Sequence, residues 1–115
     1  MVEVKYDLEE RTLRFAKRVN SYVKKLPRTI PNYKAGEQFV SSAGSVGANY
    51  IEANESLSRK DFIMRIKICK KEAKESRFWA DLSEPRKEDE AEKEFLMKEA
   101  TELMKIFGSI LEKCR

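Results

Sequence analysis

The chain has 115 residues, of which 41% are hydrophobic and 38% are charged, and its formal net charge is +4. A chain of this length buries one core, so we expect a single domain over residues 1–115. No stretch approaches the roughly eighteen consecutive apolar residues of a membrane span, and the N-terminus lacks the apolar region of a signal peptide, which predicts a cytoplasmic protein with no membrane partner.

Prolines divide the chain into segments with helical periodicity. They occur only at positions 27, 31 and 85, and proline favours a break between helices. One further break is expected at Ser58, because Ser-Arg-Lys-Asp at 58–61 has the form of a capping box. The pattern predicts four helices, at 6–26, 33–57, 59–83 and 87–113. Their short connections predict an all-α, antiparallel, up-down-up-down four-helix bundle.

The first predicted helix has an apolar face and a basic face. Lys17 and Arg18 belong to a group of cations that outnumber the acids of this segment, and both are candidate contacts for nucleic acid. The core positions recur at three- and four-residue steps: Leu8, Thr12, Phe15, Val19, Tyr22 and Leu26.

The second predicted helix carries almost no long charged side chains. Two glycines inside a helix each cost about 1 kcal/mol relative to alanine, which the close approach of a neighbouring helix would offset. A helix without a charged face predicts contact with further copies of the chain, and hence a homo-oligomer. The alternative is a monomer whose serine-rich face is exposed. The core stripe is predicted at Phe39, Ala43, Val46, Tyr50, Ala53 and Leu57.

The predicted oligomer interface combines small and apolar residues of the second and third helices. It consists of Gly44, Gly47, Ala48, Ile51, Met64, Ile68 and Trp79.

A polar seam on the second helix contains Asn49 and Glu52. A buried carboxylate requires a partner, and Arg59 or a basic residue of another helix could supply one. We interpret Asn49, Glu52 and Arg59 as structural polar residues. Catalysis by Glu52 or Glu55 is the alternative.

The third predicted helix is the most basic part of the chain. Its core stripe is predicted at Phe62, Ile66, Cys69, Ala73 and Ala80. A basic stripe on a rigid helix can follow a phosphate backbone, and no arrangement here is suited to reading base edges. The alternative is a solvated face whose lysines pair locally. The candidate nucleic-acid contacts of this helix are Lys60, Lys67, Lys70, Lys71, Lys74 and Arg77.

The last predicted helix begins with a group of acidic residues, which favours its dipole and requires no partner. Its core positions are predicted at Leu96, Leu103, Phe107, Ile110 and Cys114.

Little in the sequence points to catalysis. It contains no histidine, which is the commonest general base and metal ligand. Cys69 and Cys114 match no metal-ligand or redox spacing and predict two reduced thiols. We therefore expect no metal site, no cofactor and no enzymatic activity.

Two consecutive stretches, QFVSSAGSVGANYIEANES and LSRKDFIMRIKICKKEAKESRFW, resemble the four helix bundle proteins named for the intervening sequences of bacterial 23S rRNA genes. The resemblance covers residues 7–111. It implies an up-down four-helix protomer that assembles into a ring or barrel, typically a homopentamer. It also implies kinship with the accessory variability determinant of diversity-generating retroelements, a basic barrel that binds nucleic acid and works alongside a reverse transcriptase.

The leading hypothesis is a non-enzymatic homo-oligomer that binds RNA or DNA through basic helix surfaces with little sequence specificity. The alternative is an assembly adaptor that presents its helices to a protein partner such as a reverse transcriptase. A protein complex that survives nuclease treatment would favour the adaptor.

Overall fold

A computed structural model of the protein describes the backbone of residues 2–115 and the side chains of residues 8–115. No strand occurs within residues 2–115, so the all-α prediction is confirmed. None of the helices in this range is long and apolar enough to cross a membrane. The helices are α1 (Val2–Lys24), α2 (Ile30–Asn54), α3 (Arg59–Leu82) and α4 (Glu90–Lys113), with a 3-10 turn at Lys87–Asp89 before α4.

The second helix begins and ends three residues earlier than its predicted range of 33–57. Its N-cap is Thr29, whose hydroxyl accepts a hydrogen bond from the backbone N–H of Asn32 at 3.2 Å. Pro31 lies in the first turn, where its missing N–H leaves no helical hydrogen bond unmade. The proline that sequence reasoning treated as a break therefore belongs to the start of α2.

Ion pairs between α1 and α4 show that these helices are antiparallel. Arg11 pairs with Glu99 at 2.7 Å, and Arg18, two turns further along α1, pairs with Glu92, two turns back along α4, at 2.6 Å. α1 packs mainly against α2 and more lightly against α4, whereas α3 packs closely against both α2 and α4. α1 and α3 therefore occupy opposite corners of the four-helix bundle.

One hydrophobic core runs along the bundle. All six predicted core positions of α1 are buried, which confirms that stripe. The placement of Leu57 in the core stripe of α2 is wrong, because α2 ends at Asn54 and Leu57 is 100% exposed in the connection to α3. The other five positions of the α2 stripe are buried: Phe39, Ala43, Val46, Tyr50 and Ala53.

The buried face of α3 is made of small and medium-sized side chains. Short side chains let α2 approach closely, and the Ser76 hydroxyl lies 2.9 Å from the Ser42 hydroxyl of α2. The long cationic side chains of α3 are excluded from this face, because a buried unpaired charge costs roughly several kcal/mol. The face consists of Ile66, Cys69, Ala73, Ser76 and Ala80.

Gly36 and Gly47 allow α1 to lie close to α2. A Cβ atom on Gly47 would lie 3.0 Å from Thr12 Oγ1, and one on Gly36 would lie 2.9 Å from Val23 Cγ1. Gly44 is different, since within the described structure no atom outside the adjacent part of α2 lies within 4 Å of the Cβ position there. At Gly47 the close approach of a neighbouring helix, expected from the sequence, is made by α1 of the same protomer, and the place of Gly47 in an oligomer interface stays a prediction.

Asn32 connects the two links at one end of the bundle. Its Nδ2 donates to the carbonyl oxygens of Pro27 at 3.0 Å and Glu84 at 2.9 Å, and its Oδ1 accepts from the backbone N–H of Glu84 at 2.9 Å. The residue is only 4% exposed. These bonds tie the α1–α2 turn to the α3–α4 connection and so hold the end of α3 in place.

Replacing Asn32 with alanine should lower the free energy of unfolding by roughly 2–3 kcal/mol, because partly buried polar backbone groups lose their partner. Urea denaturation followed by circular dichroism measures this loss. Asn20→Ala is the matched control, since Asn20 is exposed on α1 and its replacement should change the free energy by less than about 0.5 kcal/mol. Equal losses in the two variants would contradict the role of Asn32.

Candidate nucleic-acid interface

Six cations project from one side of α3, and we call them the basic face: Lys60, Lys67, Lys70, Lys71, Lys74 and Arg77. All six are exposed. From Lys60 to Arg77 the helix rises by about 25 Å. Within residues 8–115 the one ion pair that any of them makes joins Lys71 Nζ to Glu72 Oε2 at 3.6 Å. The positive charge of the basic face is therefore largely uncompensated.

The ends of α3 are held by hydrogen bonds, so the backbone that carries its cations has a fixed position along the bundle. At the start, the Ser58 hydroxyl accepts from the backbone N–H of Asp61 at 3.0 Å, which confirms the predicted cap. At the end, Lys93 of α4 donates to the carbonyl oxygens of Asp81 and Ser83, both at 2.9 Å. The Ser83 hydroxyl also lies 2.7 Å from Tyr22 Oη of α1.

Lys70 lies at the groove between α3 and α4. A Cβ atom on Gly108 of α4 would be 3.8 Å from both Cε and Nζ of Lys70. The aliphatic part of this lysine thus covers the glycine while the residue as a whole remains exposed. The basic face therefore extends to the α4 side of the bundle.

The cations predicted on α1 do not join the basic face, because α1 and α3 occupy opposite corners. Lys17 is exposed. Arg18 is bound within the chain: its Nε and Nη2 donate to Glu92 at 2.6 and 2.9 Å, and its Cζ lies 3.7 Å from the centre of the Phe95 ring. The hydrogen bond that Arg18 donates to the Glu92 carboxylate raises the pKa of Arg18. Arg18 is thus paired within the chain, and its contact with nucleic acid stays a prediction.

The predicted interface residues of α2 are mostly exposed in the protomer. Gly44, Ala48 and Ile51 are exposed, with Ile51 at 53%, and Val40 at 38% extends the same stripe. The stripe follows helical spacing and runs along the side of α2 that faces away from the core. It is an exposed apolar surface against which a helix of another subunit could pack.

The predicted interface residues of α3 differ in exposure. Met64 is 44% exposed, whereas Ile68 and Trp79 are half-buried. Trp79 packs against the hydrophobic core of its own chain. The exposed aromatic residue at this end of α3 is its neighbour Phe78, which is 58% exposed and which sequence reasoning did not select. The spacing signal was present, since Phe78 follows Lys74 by four residues, or one helical turn.

The polar seam of α2 is contacted by a basic residue of another helix, which was one of the two partners considered. Asn49 Oδ1 accepts a hydrogen bond from Arg65 Nη1 at 2.9 Å, so a basic residue of α3 does reach the seam. Glu52 and Arg59 are both exposed, and no ion pair joins them in the described part of the chain. No group of three His, Cys, Asp or Glu side chains that could hold a metal ion occurs among the described residues.

Comparison with known proteins places this bundle in a family. The family model described as 23S rRNA-intervening sequence protein matches residues 5–109. The chain belongs to this family. Its resemblance to the 23S rRNA-intervening sequence proteins, read first from the second and third helices, is thereby confirmed.

A solved structure supports the same placement of this 23S rRNA-intervening sequence protein. The chain is similar to a protein of the S23 ribosomal protein family from Bacteroides thetaiotaomicron VPI-5482, which is described as having unknown function. The two share 30% identity over 94% of this chain and 97% of the other, with a TM-score of 0.78. No curated protein matches the chain. The comparisons therefore establish the family and the fold and name no activity.

The two thiols of this 23S rRNA-intervening sequence protein should differ in reactivity. Cys69 is fully buried, its Sγ donates to the Val46 carbonyl at 3.4 Å, and burial raises its pKa to about 12. Since the thiolate is the reactive form, Cys69 should be inert in the native protein at pH 8. Cys114 is only half-buried.

Iodoacetamide should therefore modify the native protein once, at Cys114, and the Cys114→Ser variant should react only after unfolding in urea. Mass spectrometry counts the modifications. Rapid modification of native Cys114→Ser would contradict the burial of Cys69.

Proposed function

We propose that this protein is a non-enzymatic homo-oligomer that binds RNA or DNA through the basic face of α3, with little sequence specificity. The observation that carries the proposal is the exposure of six cations on one helix, which make a single long ion pair with the side chains that the structure describes. Cations that neutralise phosphates supply affinity without reading the bases. We further propose that the protein acts in the cytoplasm, where its two free thiols would stay reduced.

The alternative explanation for a charged helix face is that its cations pair with carboxylates of the same chain. Two arginines of α1 do so. Arg11 and Arg18 are each held by two hydrogen bonds to one carboxylate of α4. On the basic face, Lys71 is the one cation with a carboxylate of residues 8–115 within ion-pair distance, at 3.6 Å. This contrast between the two arginines that face α4 and the cations of the basic face favours an external anionic ligand for α3.

The dimensions of the basic face suit a polyanion better than a small anion. Its length of about 25 Å corresponds to roughly seven base pairs of duplex at 3.4 Å each. No enclosed pocket is needed for such a ligand, because phosphate contacts are made across an open surface. Repetition of the face around an oligomer would multiply the positive field.

Replacing Lys67, Lys70 and Lys74 together with glutamine should raise the Kd for a 20-nucleotide RNA hairpin and a 20-base-pair DNA duplex by about tenfold or more in 50 mM salt. Fluorescence anisotropy measures both. The matched control replaces Lys17, Lys24 and Lys25, which are exposed on and just after α1, and removes the same net charge.

We expect the control variant to change the Kd by less than about threefold, since its lysines lie at the opposite corner of the bundle. Equal losses in the two triple variants would contradict the assignment of binding to α3. Absence of binding by the unmodified protein at 50 mM salt would contradict nucleic-acid binding altogether.

We also propose that copies of the chain associate through the apolar stripe of α2 formed by Val40, Gly44, Ala48 and Ile51. These residues are exposed in the protomer, and Gly44 has open space on its outer side that a neighbouring helix could fill. An exposed apolar stripe on a helix is typical of a subunit contact. The homopentamer implied by the family resemblance is the assembly we expect.

The Ile51→Glu variant should dissociate the oligomer, because it places a charge within the proposed contact, while the fold persists because Ile51 is 53% exposed in the protomer. Multi-angle light scattering at micromolar concentration measures the mass. Leu57→Glu is the matched control: the chemical change is the same, but Leu57 is 100% exposed outside α2. A monomeric unmodified protein, or dissociation of both variants, would contradict the proposed contact.

A further inference from the structure

An exposed aromatic ring lies in line with the basic face. Phe78 is 58% exposed, although a phenylalanine side chain is usually among the residues that a fold buries. It follows Lys60, Lys67, Lys71 and Lys74 by 18, 11, 7 and 4 residues. Each of these intervals is close to a whole number of turns of 3.6 residues, so the ring and the four lysines share one side of α3.

The ring of Phe78 is supported from below by Trp79. The two ring centres are 4.8 Å apart and the planes are inclined at 82°, an edge-to-face arrangement. Trp79 itself packs against the hydrophobic core. An aromatic pair of this geometry is favourable beyond the area that it buries, so the exposed ring has a preferred position.

Lysines lie within one and two turns of the ring. Lys74 and Lys71 are about 6 and 10.5 Å from Phe78 along the helix axis, and both have long flexible side chains. A nucleotide whose base lies on the ring would thus have a cation within reach of its phosphate. Single-stranded nucleic acid is bound by this combination of stacking rings and backbone cations.

We propose that Phe78 is a stacking site for an unpaired base, so that the preferred ligand of the basic face is single-stranded nucleic acid or an unpaired loop. This inference rests on the proposed nucleic-acid binding and narrows its ligand. In a duplex the bases are stacked on one another and offer no face to Phe78. Lys74 and Lys71, which lie within two turns of the ring, distinguish this ligand from an apolar side chain of a protein, which would gain nothing from two nearby positive charges.

The test compares a 12-nucleotide RNA with the 12-base-pair duplex of the same sequence, using fluorescence anisotropy at 50 mM salt. Phe78→Leu keeps the apolar bulk and removes the ring, whereas Phe78→Tyr keeps the ring. Phe78→Leu should weaken binding of the single strand by about tenfold and change duplex binding by less than about twofold. Phe78→Tyr should bind both ligands within about twofold of the unmodified protein.

Three outcomes would overturn the inference in distinguishable ways. If the unmodified protein binds and Phe78→Leu keeps full single-strand affinity, the stacking role is wrong while nucleic-acid binding stands, and Phe78 is then better explained as a contact for a protein. If Phe78→Leu weakens single strand and duplex equally, the ring does not select unpaired bases. If the unmodified protein binds neither ligand, the proposed function fails together with the inference.

Discussion

α3 packs against both α2 and α4 through a face of small and medium-sized residues, and this packing determines where the charge of the protein lies. Five of its positions, from Ile66 to Ala80, fill the space against the neighbouring helices. None of them can be lysine or arginine without burying an unpaired charge. The cations of α3 are therefore confined to its outer side, where they form a continuous surface about 25 Å long.

The same composition leads to a different result on α1, which shows that tertiary partners rather than net charge decide what a basic helix can do. Arg11 and Arg18 face glutamates of α4 and are neutralised there. The cations of the basic face also lie beside α4, but among the described residues Lys71 is the one that has a carboxylate within ion-pair distance. A modest net charge of +4 thus includes arginines that are paired with α4, Arg11 and Arg18, as well as the largely unpaired cations of the basic face. Phe78 lies in line with the basic face and adds an exposed aromatic ring to its positive charges.

The features predicted correctly from the sequence depend on local signals. The buried stripe of α1 was predicted from the spacing of apolar residues within one helix, and the Ser58 cap was predicted from four consecutive residues. The features that were missed depend on partners far along the chain: Glu92, which binds Arg18, is 74 residues away, and Thr12, which approaches Gly47, belongs to another helix. Leu57 had the right spacing for the core, but α2 ends before reaching it. The choice between Phe78 and Trp79 as the exposed ring likewise depends on which one the core can accommodate.

The salt dependence of nucleic-acid affinity tests the role of the basic face most directly. Each phosphate contact made by a cation contributes about −0.9 to the slope of log K against log salt concentration for a duplex, and about −0.7 for a single strand. With three or more lysines of α3 in contact, the slope should be about −2 or steeper for single-stranded RNA between 50 and 200 mM salt. A slope near zero, or a slope unchanged when Lys67, Lys70 and Lys74 are replaced with glutamine, would contradict binding through this face.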